Sequence, residues 1–158
     1  MIKIVGICLL LFALICAIRH LSRVQRRRVL LLREVCELLR HIRRQVGCYL
    51  LPVREIARCY SSELLEECGF LDKLREGENP VSSLCGENSL SARSMRVVDE
   101  VFSTFGEGYV EDEIRALDTA TDELFGLLSS ESSECSKRIK LYSVLGAAIG
   151  VGALILII

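Results

Sequence analysis

Residues 136–158 read SKRIKLYSVLGAAIGVGALILII, with Lys137, Arg138 and Lys140 followed by an apolar run to Ile158. The stretch 141–158 holds ten Leu, Ile and Val residues and no charge. At a helix centre each of these favours membrane insertion by ~0.3–0.6 kcal/mol, so the run predicts a transmembrane helix over 141–158. A second run lies near the other end: Ile4 to Ile18 reads IVGICLLLFALICAI. Extended by Ile2, it approaches the minimum span of about 17 residues and predicts a transmembrane helix over 2–18. A cleaved signal peptide is the rival reading. Cleavage calls for small residues after the apolar stretch, whereas Arg19, His20 and Arg23 follow at once, with Arg26, Arg27 and Arg28 behind them. Isoleucine precedes both Cys8 and Cys16, which argues against a lipoprotein site.

The basic flanks set the expected orientation. They sit after the first run and before the second, and positively charged flanks stay cytoplasmic. Both termini are therefore expected outside the cytoplasm and residues 19–140 inside it, a reducing setting that suits the six unpaired cysteines of that segment. Arg19, Arg23, Arg26, Arg27 and Arg28 are near enough to anionic lipid headgroups to gain on the order of 1 kcal/mol each. Gly146 and Gly150 form a GxxxG step with Ala147, Gly152 and Ala153 close by. Small residues let helix backbones approach in lipid, so the step predicts helix pairing or self-association, with chance placement of glycine as the plain alternative.

The 51% hydrophobic content is concentrated in the two terminal runs, leaving room for one modest domain between them. A net charge of −1 conceals segregation: Met1 to Arg58 carries 12 basic and 3 acidic residues, and Cys59 to Ser136 carries 5 and 18. There is no overall basic excess, so nucleic acid is not an expected ligand. The eight cysteines show no CxxC and only two histidines accompany them, so neither metal nor cofactor is predicted.

Between the runs the apolar spacing is helical. Leu32, Val35, Leu39, Ile42 and Val46 step by three and four, continuing the first anchor into a helix that ends near GCYLLP. Pro52 suits the first turn of the next helix, Val53 to about Cys68. Shorter helices are expected near 70–75 and 80–85, then one from Ser89 to Phe105 with Met95, Val98, Val101, Phe102 and Phe105 inward. The last stripe is Val110, Ile114, Leu117, Thr121, Leu124 and Leu128, followed by the Ser-rich SSESSECS. The predicted class is all-α: a small antiparallel helical bundle over 19–140, flanked by N- and C-terminal transmembrane helices.

On a helix rising 1.5 Å per residue from Arg19, the residues Arg40, Arg43 and Arg44 lie roughly 30 to 40 Å from a bilayer, beyond lipid attraction. By the same rise Glu111, Asp112, Glu113 and Asp118 reach a similar height on the returning helix. These clusters are expected to face each other or a shared partner. The plain alternative is a solvated face with pairs worth about 0 to 1 kcal/mol each.

Catalytic signatures are missing. There is no GxxxxGK[ST] loop, and FGEGY at Phe105 to Tyr109 lacks the strand and basic residue of a phosphate cradle, reading as a helix break. His41 has no nucleotide-binding module beside it, and Glu111, Asp112 and Glu113 suit the dipole at a helix start. No enzymatic activity is predicted.

The segment KRIKLYSVLGAAIGVGALILII resembles the end of stage III sporulation protein AB of endospore-forming bacteria, with its basic residue, aromatic, Leu-Gly and glycine-containing span. LREVCELLRHIRRQVGCYLLPVREIA is similar to that family's first helix, break and following proline, and FGEGYVEDEIRALDTATDEL to its entry into the last helix. Gly108-Tyr109 stands where the family has Leu-Gly, and the middle from Cys68 to Leu90 lacks its frequent Trp. The resemblance implies a cell-membrane component of the complex that bridges mother cell and forespore, in the mother-cell membrane. It also implies a cytoplasmic domain similar to the platform proteins of type II secretion and type IV pilus systems. Its partners would be a cytoplasmic sporulation ATPase and other membrane subunits. The alternative is a membrane-tethered helical regulator that binds one cytoplasmic protein outside any channel.

Overall fold

The computed structural model describes residues 2–49, 52–86, 90–104 and 110–157, and within helices the side chains of 2–5, 7, 8, 10, 11, 48, 49, 110, 151 and 153–157 lie outside the described residues. Every described element is helical: α1 (Ile2–Tyr49), α2 (Val53–Cys59), α3 (Glu63–Glu67), α4 (Phe70–Glu76), a 3-10 helix (Pro80–Leu84), α5 (Ala92–Thr104) and α6 (Val110–Ile157). The chain divides into two compact units, one of residues 27–130 and one of 1–26 with 131–158. Each long helix gives one end to each unit.

The unit of residues 27–130 has an ordinary apolar core. All five residues of the α1 stripe are buried, and Leu31, Cys36 and Leu38 widen it, so α1 is covered over more than one face. From α6, Leu117, Thr121 and Leu124 are buried, with Ile114 and Leu128 packed against the core. α5 buries Val98 and Val101 as expected, and Val97 and Ser94 besides. Met95 and Phe102 pack at the core's edge, Phe102 meeting Phe70 of α4 edge-on at 5.6 Å. The expected inward Phe105 lies outside the described residues. On α1, positions 40, 43 and 47 meet 125, 118 and 114 of α6 in reverse order, so the two helices run antiparallel within this unit.

The single helix predicted over 53–68 is two helices. Tyr60 (ψ 135°) and Ser62 (ψ 120°) are extended, and α3 restarts at Glu63. The break is held from a distance. Arg75 of α4 donates to the carbonyls of Ala57 (3.2 Å) and Tyr60 (3.0 Å), groups that the end of α2 would otherwise leave unpaired. The Ser62 hydroxyl donates to Glu34 of α1 at 2.9 Å. α4 stops at Gly77, whose φ of 81° lies in the left-handed region and whose N–H donates to Leu74 O. The left-handed φ at Gly77 requires glycine, while the Arg54 guanidinium beside it is the far end of a flexible side chain that can move aside.

The other unit is a helix pair with reversed surfaces. A Cβ on Gly146 would stand 3.1 Å from Ile18 Cδ1, so α1 and α6 approach closely at that point. Ile18 and Ser22 of α1 and Ile139, Tyr142 and Gly146 of α6 are half-buried, and Cys135 is buried. Outside that seam several large apolar side chains are exposed, Leu9, Phe12, Ile15 and Leu21 on α1 and Leu141, Val144, Leu145 and Ile149 on α6, together with charged ones such as Arg19, Arg23 and Lys140. The Ser-rich stretch before the second apolar run is helical throughout, part of α6. Its Ser130 hydroxyl donates to Leu127 O at 2.8 Å, three residues back. Among the described residues no helix is long and apolar enough to cross a membrane. The expected spans, 2–18 and 141–158, fall in part on side chains outside the described residues.

Candidate functional site

The charged face of α1 and α6 in the 27–130 unit gathers part of the predicted cluster. Arg43 and Asp118 form a two-pronged ion pair, Nε to Oδ1 at 2.7 Å and Nη2 to Oδ2 at 3.0 Å. The sequence explains the meeting: each residue sits one position from a buried stripe residue, Ile42 or Leu117, and so reaches the edge of the helix interface. Both side chains are 48% exposed, so the pair contributes about 0.2–1 kcal/mol and fixes register more than it adds stability. Arg40 finds a different partner. Its guanidinium lies 3.7 Å from the centroid of the Phe125 ring, with Glu37 at 3.9 Å one turn back. Arg44 is exposed beside them, and with Asp122 and Thr121 these residues line an open groove of ≈ 380 Å³. Glu111 and Asp112 are exposed in the first turn of α6, and Glu113 is half-buried.

Electrostatics follow burial. Burial holds the His41 imidazole below its ordinary value and the Arg44 charge adds to the effect, while the His41 ring lies 5.2 Å from Tyr60. Tyr60 is pushed up, first by burial and then by Glu34 and Glu37. Burial raises the Cys36 thiol to about 11, which keeps it protonated and unreactive. Among the described residues no group of His, Cys, Asp and Glu is arranged to hold a metal ion.

The basic residues expected to orient the chain in a membrane divide. Arg19, Arg23, Arg26, Lys137 and Lys140 are exposed. Arg138 pairs with Glu134 along α6 at 3.4 Å. Arg27 instead reaches Glu67 of α3 at 2.6 Å, and its charge stands beside Cys68, whose thiol burial pushes up. Arg28 is half-buried. Of the GxxxG step, Gly146 faces Ile18 of the same chain, whereas a Cβ on Gly150 would meet nothing within 4 Å.

Sequence reasoning missed the Arg40–Phe125 contact, the Arg27–Glu67 bridge and the Arg75 clamp. Each joins residues far apart in the chain, and an isolated arginine carries no sign of which distant group it will meet.

These features define an all-helical protein with two long helices, α1 and α6, in which one compact unit has a conventional apolar core and the other exposes large apolar side chains. The chain belongs to the stage III sporulation protein AB family, which it matches over residues 3–158, and it is a sporulation protein. Comparison with curated proteins and with solved structures found no match to set beside that family.

Proposed function

We propose that this chain is a non-enzymatic membrane platform of the sporulation complex between mother cell and forespore. In this reading 2–18 and 141–158 cross the bilayer, and the helical unit between them docks a cytoplasmic ATPase and other membrane subunits. The observation that carries the membrane part is the reversed surface of the terminal unit, where eight large aliphatic or aromatic side chains are exposed on two helices. Large apolar side chains exposed in such number on a helix pair are unusual at a water-facing surface. Exposed Arg19, Arg23 and Arg26 on one helix and Lys137 and Lys140 on the other border that area, as headgroup-level anchors and orientation signals do. The docking part draws on family membership and on the charge segregation of the 27–130 unit. Its work is contact and transmission between partners rather than turnover of a substrate.

Affinity capture after crosslinking in sporulating cells tests the reading. A platform is recovered in several copies per assembly, together with an ATPase and further membrane proteins. Recovery of one copy with one cytoplasmic protein identifies the tethered regulator instead.

A further inference from the structure

A second groove lies away from the Arg43–Asp118 face, between α5 and α6 in the 27–130 unit. It measures ≈ 400 Å³. Its floor is made of small or short apolar side chains, Val97 and Val101 from α5 and Ala116 and Ala120 from α6. Two of these come from each helix, four residues apart, so the floor is a channel parallel to the helices. The rim carries Glu100, Asp112 and Glu123 against a single cation among the lining residues, Arg115. All four rim groups are exposed. Among the described residues Glu123 meets Arg93 at a long 3.5 Å, between side chains 40% and 67% exposed, a contact that an incoming cation can replace. The Thr104 and Thr119 hydroxyls, also on the lining, donate to the carbonyls of Glu100 and Arg115 on their own helices, so the lining offers carboxylates and apolar surface.

We propose that this groove docks a basic amphipathic helix of a partner protein. The channel between two helices, floored by Ala and Val, fits a third helix packing ridge into groove. From Asp112 to Glu123 α6 rises about 16 Å, or three turns, which sets the length of the docked segment. An apolar stripe of the partner faces the floor, and its Lys or Arg residues meet Glu100, Asp112 and Glu123. The acidic rim disfavours an acidic helix by the same charges. This deepens the docking reading and rests on it for the existence of a protein partner. The test uses a model helix, so its result stands apart from whether an ATPase is captured.

The full chain in neutral-lipid nanodiscs is titrated with a fluorescent Leu/Lys amphipathic peptide of about 18 residues, long enough to be helical on binding, and empty nanodiscs are subtracted. The Leu/Glu counterpart serves as control. The Lys peptide is expected to bind and the Glu peptide not to. Glu100→Lys with Glu123→Lys weakens binding about tenfold or more, as does Ala116→Trp, which fills the channel from an exposed position. The pair Glu76→Lys and Glu78→Lys, carboxylates away from the groove, leaves it within about twofold. Circular dichroism checks folding of each variant, and the Glu100/Glu123 pair, being exposed, serves if the Trp variant misfolds. The proposal is overturned if the Lys peptide fails to bind, if both groove variants bind like the parent, or if the Glu76/Glu78 pair weakens binding as much as the groove pair.

Discussion

The two units of this chain place large apolar groups differently. Residues 27–130 bury Leu32, Leu39, Phe70 and Leu124 and expose Arg and Glu; the terminal unit exposes Phe12 and Val144, while its half-buried seam mixes Ile18 and Ile139 with Ser22, Tyr142 and Gly146. In water the first arrangement is favourable and the second is not, because apolar area removed from water contributes about 25 cal/mol per Å². In a bilayer the second becomes favourable: lipid tails solvate the outer Leu and Phe, and close packing of small residues holds the helices together. Under the proposed membrane reading, one chain carries surfaces suited to two solvents.

The largest test of this contrast is truncation in the core. Leu39→Ala, at a fully buried position, is expected to lose about 2–5 kcal/mol of unfolding free energy, whereas Leu145→Ala, 48% exposed, changes it by less than about 0.5 kcal/mol in detergent denaturation. Equal losses at the two sites would erase the distinction between the units. Next in size is the effect of charge on the outer surface. Val144→Asp should raise the insertion free energy of 141–158 by about 2.5–3.5 kcal/mol in a translocon insertion assay if placed near mid-span, and a substitution without effect would mean that this face meets water. Glycine sharpens the picture of the seam. Gly146→Leu drives a side chain against Ile18 and is expected to cost about 1–3 kcal/mol, while Gly150→Leu, with open space where its Cβ would lie, leaves the melting temperature unchanged.

The smallest effect is electrostatic and confined to the 27–130 unit. Burial keeps the folded His41 pKa below the 6.5 of the unfolded chain, so the unfolded state takes up the proton first as pH falls. His41 therefore contributes stability that is complete above 6.5 and lost as pH drops through its folded value. His41→Gln should flatten the pH dependence of the melting temperature below that point, and an unchanged slope would remove His41 from the account.

Much of the fold was legible because helical period is a local property. The stripe from Leu32 to Val46 and the one through Leu117 and Leu124 needed only steps of three and four, and both are buried. The break at Tyr60–Ser62 was missed although Ser62 followed by Glu63 is the kind of sequence that starts a helix. Arg75, which lies 15 residues beyond Tyr60, pairs the Tyr60 carbonyl, a partner the sequence does not announce. The Ser-rich segment ahead of the second apolar run points the other way. Its serines and glutamates suit a loop as well as an exposed helix face, and membership in the long α6 resolves that ambiguity in favour of helix. The Arg43–Asp118 contact was foreshadowed by charge segregation. The α5–α6 groove was not, because Ala116, Ala120 and Val97 are unremarkable in a sequence until two helices bring them side by side.

Thiol accessibility in intact cells tests the central claim, that lipid surrounds the terminal unit and cytosol surrounds residues 27–130. Cys59 and Cys85 are exposed on the latter unit, and a chain retaining only the buried Cys36 serves as an unlabelled control. With each exposed cysteine retained in turn in an otherwise cysteine-free chain, a membrane-impermeant maleimide should label it in inverted vesicles and leave it unmodified in whole cells. Labelling of Cys59 or Cys85 in whole cells would contradict the account.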